Sequence, residues 1–327
     1  MGFLWRGGCR TKTIPPSTIH HPPAHMLDDF ENRLIEGDCL DVLPELPTDS
    51  VDLVLCDLPY GTTRNGWDSL IPLGGLWTEY LRVAKERAAI VLTAQGLFTA
   101  RLIMSQPEHF KYKIVWEKSK ATNFLNAKRQ PLRKHEDICV FYQKAPTYNP
   151  QMSEGDAYDK GVRKDQLTGS YGDFDPAHVK SEGGRYPTDL VYFKTAESEP
   201  GEVWHPTQKP VALGRYLVRT FTNPGDVVLD NAFGSGSFLV AALMEGRPFV
   251  GIEKNDDLER FKSEDLDCLD VAHRRLDRAR RRLVRSGEDP GEVRGDGAPE
   301  EATPEEGRTP SLFQDMQVRE VRGEAWS

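Results

Sequence analysis

Residues 226–238 read "DVVLDNAFGSGSF". A β-branched apolar run stops at Asp230, passes Gly234 and Gly236, and leads into "FLVAALMEG", an apolar helical stretch closed by Gly246. "PFVGIEKN" follows as a second strand that ends at Glu253. Strand, glycine turn, helix and strand in succession are the punctuation of an α/β sheet, and the same punctuation can be traced back to Asn32. "RLIEGD" reads as a strand ending at Asp38, "CLDVLPEL" as a short helix and "VDLVLCD" as a strand ending at Asp57. "LWTEYLRVAKE" has helical spacing, "AAIVLTAQG" is the next strand, and "YKIVWEK" and "DICVFYQK" are two more, joined by a basic loop. "PVALGRYLVRTF" is an amphipathic helix, and Leu266, Leu269, Ala272, Leu276, Ala279 and Leu283 mark a last helix whose other face is rich in arginine.

The glycine turn points to a ligand, because glycines let it approach the backbone and the following helix offers free N–H groups. A dinucleotide fingerprint would need glycine where Leu239 stands, and a phosphate loop would need a Gly-Lys-Ser/Thr that is absent. What remains is Asp230 before the glycines and a strand-end acid, Glu253, after them. A carboxylate so placed suits two ribose hydroxyls. A zwitterionic nucleoside such as S-adenosylmethionine fits both acids, Asp230 facing its cationic amino group and Glu253 its ribose. A ligand-free strand-to-helix turn is the competing reading of this stretch taken alone.

The strand "VDLVLC" runs into "DLPYG". Asp57 offers an acceptor carboxylate, Pro59 fixes the chain so that the Leu58 carbonyl is a second acceptor, and Tyr60 offers a ring. Together they would hold a planar amine, with the base stacked on Tyr60 and its exocyclic NH2 donating to Asp57 and to the Leu58 carbonyl. Such a nitrogen is a poor nucleophile, and two acceptors stabilise the positive charge that develops as it takes a methyl group. Cys56 next door reads as a packing residue.

The chain has 327 residues, 38% hydrophobic and 28% charged, enough for one large α/β domain with a proper core. Its longest apolar runs fall far short of the roughly 20 residues of a membrane span, so no membrane partner is expected. Five scattered cysteines without a CxxC pair support neither a disulfide framework nor a metal site, and read as reduced thiols of a cytoplasmic protein. The net charge of −9 is uneven. Residues 285–327 hold 11 acidic against 5 basic residues and read as a disordered acidic tail. Residues 111–134 hold eight basic side chains, Lys118, Lys120, Lys128, Arg129 and Arg133 among them, against Glu117 alone. A local basic surface of that kind binds phosphates whatever the total charge. Residues 1–28, with paired prolines and no periodicity, read as a flexible extension, and residues 145–202, rich in Gly, Asp, Tyr and Pro, as an irregular insertion.

In order, "DLPYG", "HPTQKP" (205–210) and "LDNAFGSGSF" (229–238) resemble the β class of DNA amino-methyltransferases, which modify adenine N6 or cytosine N4. The resemblance covers roughly residues 32–283. It implies a Rossmann-like, seven-stranded, mostly parallel sheet with one antiparallel strand, S-adenosylmethionine as cofactor and double-stranded DNA as partner. A homodimer is compatible with it, and a partner endonuclease is left unnamed. By the same resemblance, Asp57, Leu58, Pro59 and Tyr60 hold a flipped base. Asp230, Phe233, Gly234, Gly236 and Glu253 form the cofactor site, Asp38 lies near the cofactor adenine, and Thr207, Gln208 and Lys209 line its methionine end. The insertion sits where the family places sequence recognition, making Arg163, Lys164 and Arg185 candidate DNA readers along with the basic stretch. The sequence departs from the family pattern at Leu58, where proline is usual and only the carbonyl is needed, and at Asn231 and Ala232. An acid at position 57, where cytosine-directed members usually carry serine, favours adenine. The alternatives are cytosine N4 methylation and a catalytically silent DNA-binding module.

Overall fold

The structure, a computed structural model, describes residues 27, 30–61, 68–162, 178–198, 203–205, 207–255 and 266–286. Most of the N-terminal extension, nearly all of the acidic tail, and both Arg163 and Lys164 lie outside the described residues. The strands are β1 (Arg33–Glu36), β2 (Val51–Cys56), β3 (Ala84–Ala94), β4 (Phe110–Thr122), β5 (Arg133–Phe141), β6 (Ser153–Glu154), β7 (Tyr158–Val162), β8 (His178–Ser181), β9 (Gly184–Arg185), β10 (Leu190–Phe193), β11 (Val228–Asp230) and β12 (Phe249–Glu253). The helices are α1 (Cys39–Val42), α2 (Leu73–Val83), α3 (Leu97–Ser105), α4 (Val211–Phe221), α5 (Ser237–Met244) and α6 (Cys268–Ser286).

Eight strands form one sheet in the order β1-β12-β11-β2-β3-β5-β4-β10. Every pairing is parallel except those of β5, which runs against both β3 and β4. Both faces are covered, so alternate side chains of one strand enter two different cores. Leu53 and Leu55 pack with α4, α5 and α6 on one face, and Val54 and Cys56 with α2 and α3 on the other. That double burial is why the strands read as near-continuous apolar runs. The buried residues of α4 and α6, such as Leu213, Leu217 and Phe221 or Ala272, Leu276 and Leu283, recur at three- and four-residue steps as their sequences predict.

The structure differs from the sequence reading at several points. The sheet has eight strands rather than seven, because "LVYF" at 190–193, inside the stretch read as irregular, pairs in parallel with β4. It covers an edge that would otherwise present unpaired backbone groups, and Trp116 Nε1 donates to the Phe193 carbonyl at 3.0 Å. Helix α2 ends at Val83, and Ala84, read as helical, instead opens β3 opposite Val51, where Lys85 pairs with Asp52 at 2.8 Å. Helix α3 lies in a stretch given no helix in the sequence reading, although Phe98 and Leu102, four residues apart, mark its buried face. The basic loop is shorter than expected, because the β4–β5 ladder extends to the Thr122–Arg133 pair. Cys39, Cys56, Cys139 and Cys268 are buried free thiols. Among the described residues no helix is long and apolar enough to cross a membrane, and no cluster of side chains could hold a metal ion.

Gly251 shows how tightly the sheet meets the glycine turn. A Cβ there would lie 2.5 Å from Leu239 Cδ1 and 3.0 Å from both Leu34 Cδ2 and Phe233 Cδ1. Gly251→Ala is therefore expected to lower unfolding stability by about 1–3 kcal/mol, the usual cost of overpacking, read as a lower urea midpoint at unchanged m-value.

Candidate active site

Parallel strands release their ends along one edge, and in this sheet that edge is acidic. The adjoining strands β1, β12, β11 and β2 end at or just before Asp38, Glu253, Asp230 and Asp57. Such a carboxyl edge is where open α/β sheets bind ligands.

After β11 the chain makes its turn through Gly234 (φ 51°) and Gly236 (φ 74°), both left-handed. The two glycines serve different needs. A Cβ on Gly234 would meet nothing within 4 Å, so that position opens onto free space, whereas one on Gly236 would press on Ala272 of α6 at 3.0 Å. The Gly234 N–H donates to Glu253 Oε2 at 2.7 Å, tying the turn to the end of β12. From behind, Arg275 of α6 donates through Nη1 to the Ser235 carbonyl at 2.6 Å, to Ser235 Oγ at 2.9 Å and to Ser237 Oγ at 3.0 Å. Phe233 is buried beneath the turn. Asp38 caps α1, its Oδ1 accepting from the Leu40 N–H at 3.0 Å, and its Oδ2 lies 3.8 Å from Lys254 Nζ.

Asp230 is only 2% exposed. Burial, with Glu253 and Asp57 adding like charge, pushes its carboxyl up to about 8, against the pull of hydrogen bonds from Cys56 and the Ala232 N–H. The Cys56 thiol is raised well above its ordinary value, by burial first and by Asp230 second. Asn231 accepts from the Tyr80 hydroxyl at 2.5 Å, while its buried Nδ2 has no hydrogen-bond partner among the described residues.

The second half of the site surrounds Asp57. Its Oδ1 accepts from the Tyr60 hydroxyl at 2.9 Å and from Thr93 Oγ1 of β3, and its Oδ2 from Lys209 Nζ at 2.6 Å. The Tyr60 ring stacks on Phe98 of α3, with centroids 5.1 Å apart and planes 26° apart. Burial, then Asp57 and Glu136, raise the Tyr60 phenol well above its usual value, so it stays protonated. No group among the described residues donates to the Leu58 carbonyl. The Gly61 N–H donates to Asp68 Oδ1 at 2.8 Å, anchoring the far end of "DLPYG".

The candidate residues thus fall into separate neighbourhoods. Thr207 is exposed and its hydroxyl lies 3.0 Å from His205 Nδ1, while Gln208 Oε1 accepts from the Trp204 N–H at 3.1 Å. Lys209, from the same segment, reaches Asp57 instead of turning with them. Lys118, read as part of a basic surface, is buried on β4 and pairs with Glu136 at 3.2 Å. Lys120 is exposed and pairs with Glu197 at 3.1 Å. Lys128 and Arg129 are exposed in the β4–β5 turn and make no ion pair with a described residue, and Arg133 donates to Gln95 Oε1 at 3.2 Å. Arg185 of β9 lies 4.7 Å over the Tyr158 ring, with Nη1 on Ser181 Oγ at 2.8 Å and Nη2 on the Asp156 carbonyl, so its guanidinium braces the small strands of the insertion. Sequence reasoning missed Thr93, Phe98 and Glu136. Glu136 was hidden by strand direction: β5 is antiparallel, so its beginning, not its end, lies at the carboxyl edge.

A family model described as DNA methylase, of the N6/N4 methyltransferases, matches residues 51–262. The DNA adenine methyltransferase YhdJ of Escherichia coli (strain K12) is 30% identical over 258 residues, covering 72% of this chain and 82% of that protein. The type II methyltransferase M.HinfI of Haemophilus influenzae is 24% identical over 284 residues, covering 76% and 69%. Among solved structures, the cytosine-N4-specific PvuII DNA methyltransferase gives a TM-score of 0.51 at 16% identity, covering 75% of this chain and 92% of that one. The M1.HpyAVI–SAM complex gives 0.50 at 21% identity, covering 75% and 98%. At those identities the structures speak for the shared fold. The family match, which spans more than half of the chain, and the identity to YhdJ show that this chain belongs to the N6/N4 family of DNA methyltransferases, which take their methyl group from S-adenosylmethionine.

Proposed function

We propose that this DNA methyltransferase acts on the exocyclic N6 of adenine, by direct transfer to a base flipped out of duplex DNA at a specific sequence. The observation that carries the reading is the clamp at the end of β2: a carboxylate at Asp57, a carbonyl at Leu58 that no described residue engages, and a ring at Tyr60 fixed by Phe98. An amine donating one N–H to each acceptor keeps its nitrogen lone pair directed away from both. Charge on that nitrogen grows as the N–C bond forms, and the fixed dipoles of the clamp oppose it without reorganising. The surplus proton on nitrogen then passes to the Asp57 carboxylate and on to solvent. An acid at position 57, and the adenine specificity in the name of YhdJ, support adenine over cytosine N4. A base cannot meet such a clamp while stacked in a duplex, which is the reason to invoke flipping.

The residues beside β11 suit S-adenosylmethionine, whose sulfonium supplies an electrophilic methyl group. The open face at Gly234 admits a ligand against the backbone, the unsatisfied Asn231 Nδ2 is a donor, and Asp230 and Glu253 are acceptors for an ammonium group and a ribose. Asp38, Phe233, Gly236, Thr207 and Gln208 complete the proposed cofactor site. For DNA, Lys128 and Arg129 are proposed as phosphate contacts, with Lys120, Arg133 and Arg185 at its margins.

Incubation with labelled cofactor and DNA, followed by identification of the methylated nucleoside, is expected to yield N6-methyladenine; label on cytosine N4 would reassign the substrate. Asp57→Ala should lower the transfer rate by at least about 10²-fold, the scale set by removing one preorganised polar group, with cofactor affinity kept.

Asp230 makes its own prediction. Its value of about 8 in the folded protein lies above the ordinary 3.8, so the folded chain holds a proton that the unfolded chain has already lost. The stability this gives is full below the ordinary value and is lost as pH rises through about 8. Asp230→Asn, which never ionises, should therefore melt increasingly above the wild-type protein as pH is raised across that window in the absence of cofactor. Cofactor binding that requires the carboxylate should tighten with pH toward 8, by up to about tenfold per unit, and calorimetry should show that dependence gone in Asp230→Asn.

Lys128→Ala should weaken binding to all DNA sequences alike and flatten the slope of log affinity against log salt by about 1.

A further inference from the structure

Four charged side chains at the carboxyl edge, two of them buried and two partly buried, form one network. Lys209 Nζ lies 2.6 Å from Asp57 Oδ2 and 3.3 Å from Glu136 Oε2, and Lys118 Nζ lies 3.2 Å from Glu136 Oε1. Their side chains are 8%, 23%, 13% and 5% exposed in the order Lys209, Asp57, Glu136 and Lys118. Two cations and two carboxylates balance, which offsets the cost of withdrawing them from water, and the Lys209 and Lys118 ammonium groups hold the Glu136 carboxyl below its usual range against the opposing effect of burial.

The position of the Lys209 ammonium matters more than its pairing. It takes Oδ2 of Asp57, while Tyr60 and Thr93 already occupy Oδ1. It also lies 5.5 Å over the centroid of the Tyr60 ring. Phe98 stacks on that ring too. The ammonium thus holds the acceptor that an incoming base needs and lies over the ring on which it would stack. Like the amine of a base, it is an N–H donor that approaches a carboxylate beside an aromatic surface.

We infer that Lys209 is an internal stand-in for the target amine, which yields its place on Asp57 to the flipped base by moving fully onto Glu136, so that Glu136 is a positioning residue for methyl transfer. The inference rests on the function proposed above. The exchange is isoionic: the neutral base brings no charge, Lys209 leaves one carboxylate for another already 3.3 Å away, and Lys118 shares Glu136 in both arrangements. No bond other than hydrogen bonds is made or broken. Without a carboxylate at position 136, Lys209 has only the Asp57 carboxylate to pair with, and the base must compete against it.

Steady-state kinetics on the DNA that the wild-type protein methylates in the transfer experiment test this. Glu136→Gln is expected to raise KM for DNA about tenfold with kcat within about twofold, as for a protein whose competent state is less populated, and with cofactor affinity unchanged. Adding Lys209→Met to that variant removes one positive charge to match the lost negative one, vacates the seat on Asp57, and should return KM to within about threefold of wild type, a coupling that a double-mutant cycle reads directly. Glu136→Gln with unaltered KM, or a double variant no better than the single one, overturns the inference while wild-type transfer still stands. Absence of transfer by the wild-type protein overturns both readings. Should the variants fail to fold, a crystal structure of the wild-type protein with cofactor analogue and duplex decides the matter: Lys209 on Glu136 and off Asp57 is expected, and Lys209 still on Asp57 beside a flipped base overturns the proposal.

Discussion

The pairing of β2 with β11 is the constraint on which the site depends. These two short strands are far apart in the chain, yet they hydrogen-bond side by side through Val228–Leu53 and Leu229–Val54. Because they are parallel, their exits coincide, and Asp57 and Asp230 emerge as neighbours. A one-residue slip would exchange the faces of every side chain and turn buried Leu53 and Leu55 toward the wrong core. Register is therefore enforced by the packing of two hydrophobic layers, and the proximity of the acids follows from it.

The two carboxylates meet opposite electrostatic surroundings within that shared edge. Asp57 is held among hydrogen-bond donors and beside an ammonium, whereas Asp230 lies against a thiol and other acids, with no cation among the described residues acting on it. Burial decides the second case. A group kept protonated by its surroundings can change charge state when a cationic ligand arrives, while one already paired with a cation cannot do so without losing its partner. Like residues on adjoining strands are thus equipped for different work by what each strand end happens to face.

Much of this was legible in the sequence. Asp57, Tyr60, Gly234, Gly236 and Glu253 announce themselves because each interrupts an apolar run or marks a turn, and such interruptions survive in one dimension. The helices at 211–221 and 268–286 were visible for the same reason, through their spacing. What stayed hidden depends on direction and distance. Glu136 lies in the first half of its strand instead of at its end, so nothing in "HEDICVF" shows that its strand is reversed. Lys118 reads as one more basic residue in a basic stretch until the β4–β5 ladder carries it inward. The strand at 190–193 is four residues long and finds its identity only at the edge of β4. Thr93 looks like any small β-branched residue of a buried strand.

The contact between α6 and the glycine turn has a consequence for how the protein is made. Arg275 braces Ser235 and Ser237 from behind, and Ala272 packs under Gly236. During synthesis, therefore, a chain whose three signature motifs have already emerged still lacks the support of the turn between β11 and α5. That turn gains its backing only when α6 has cleared the ribosome, after every described strand of the sheet is already out.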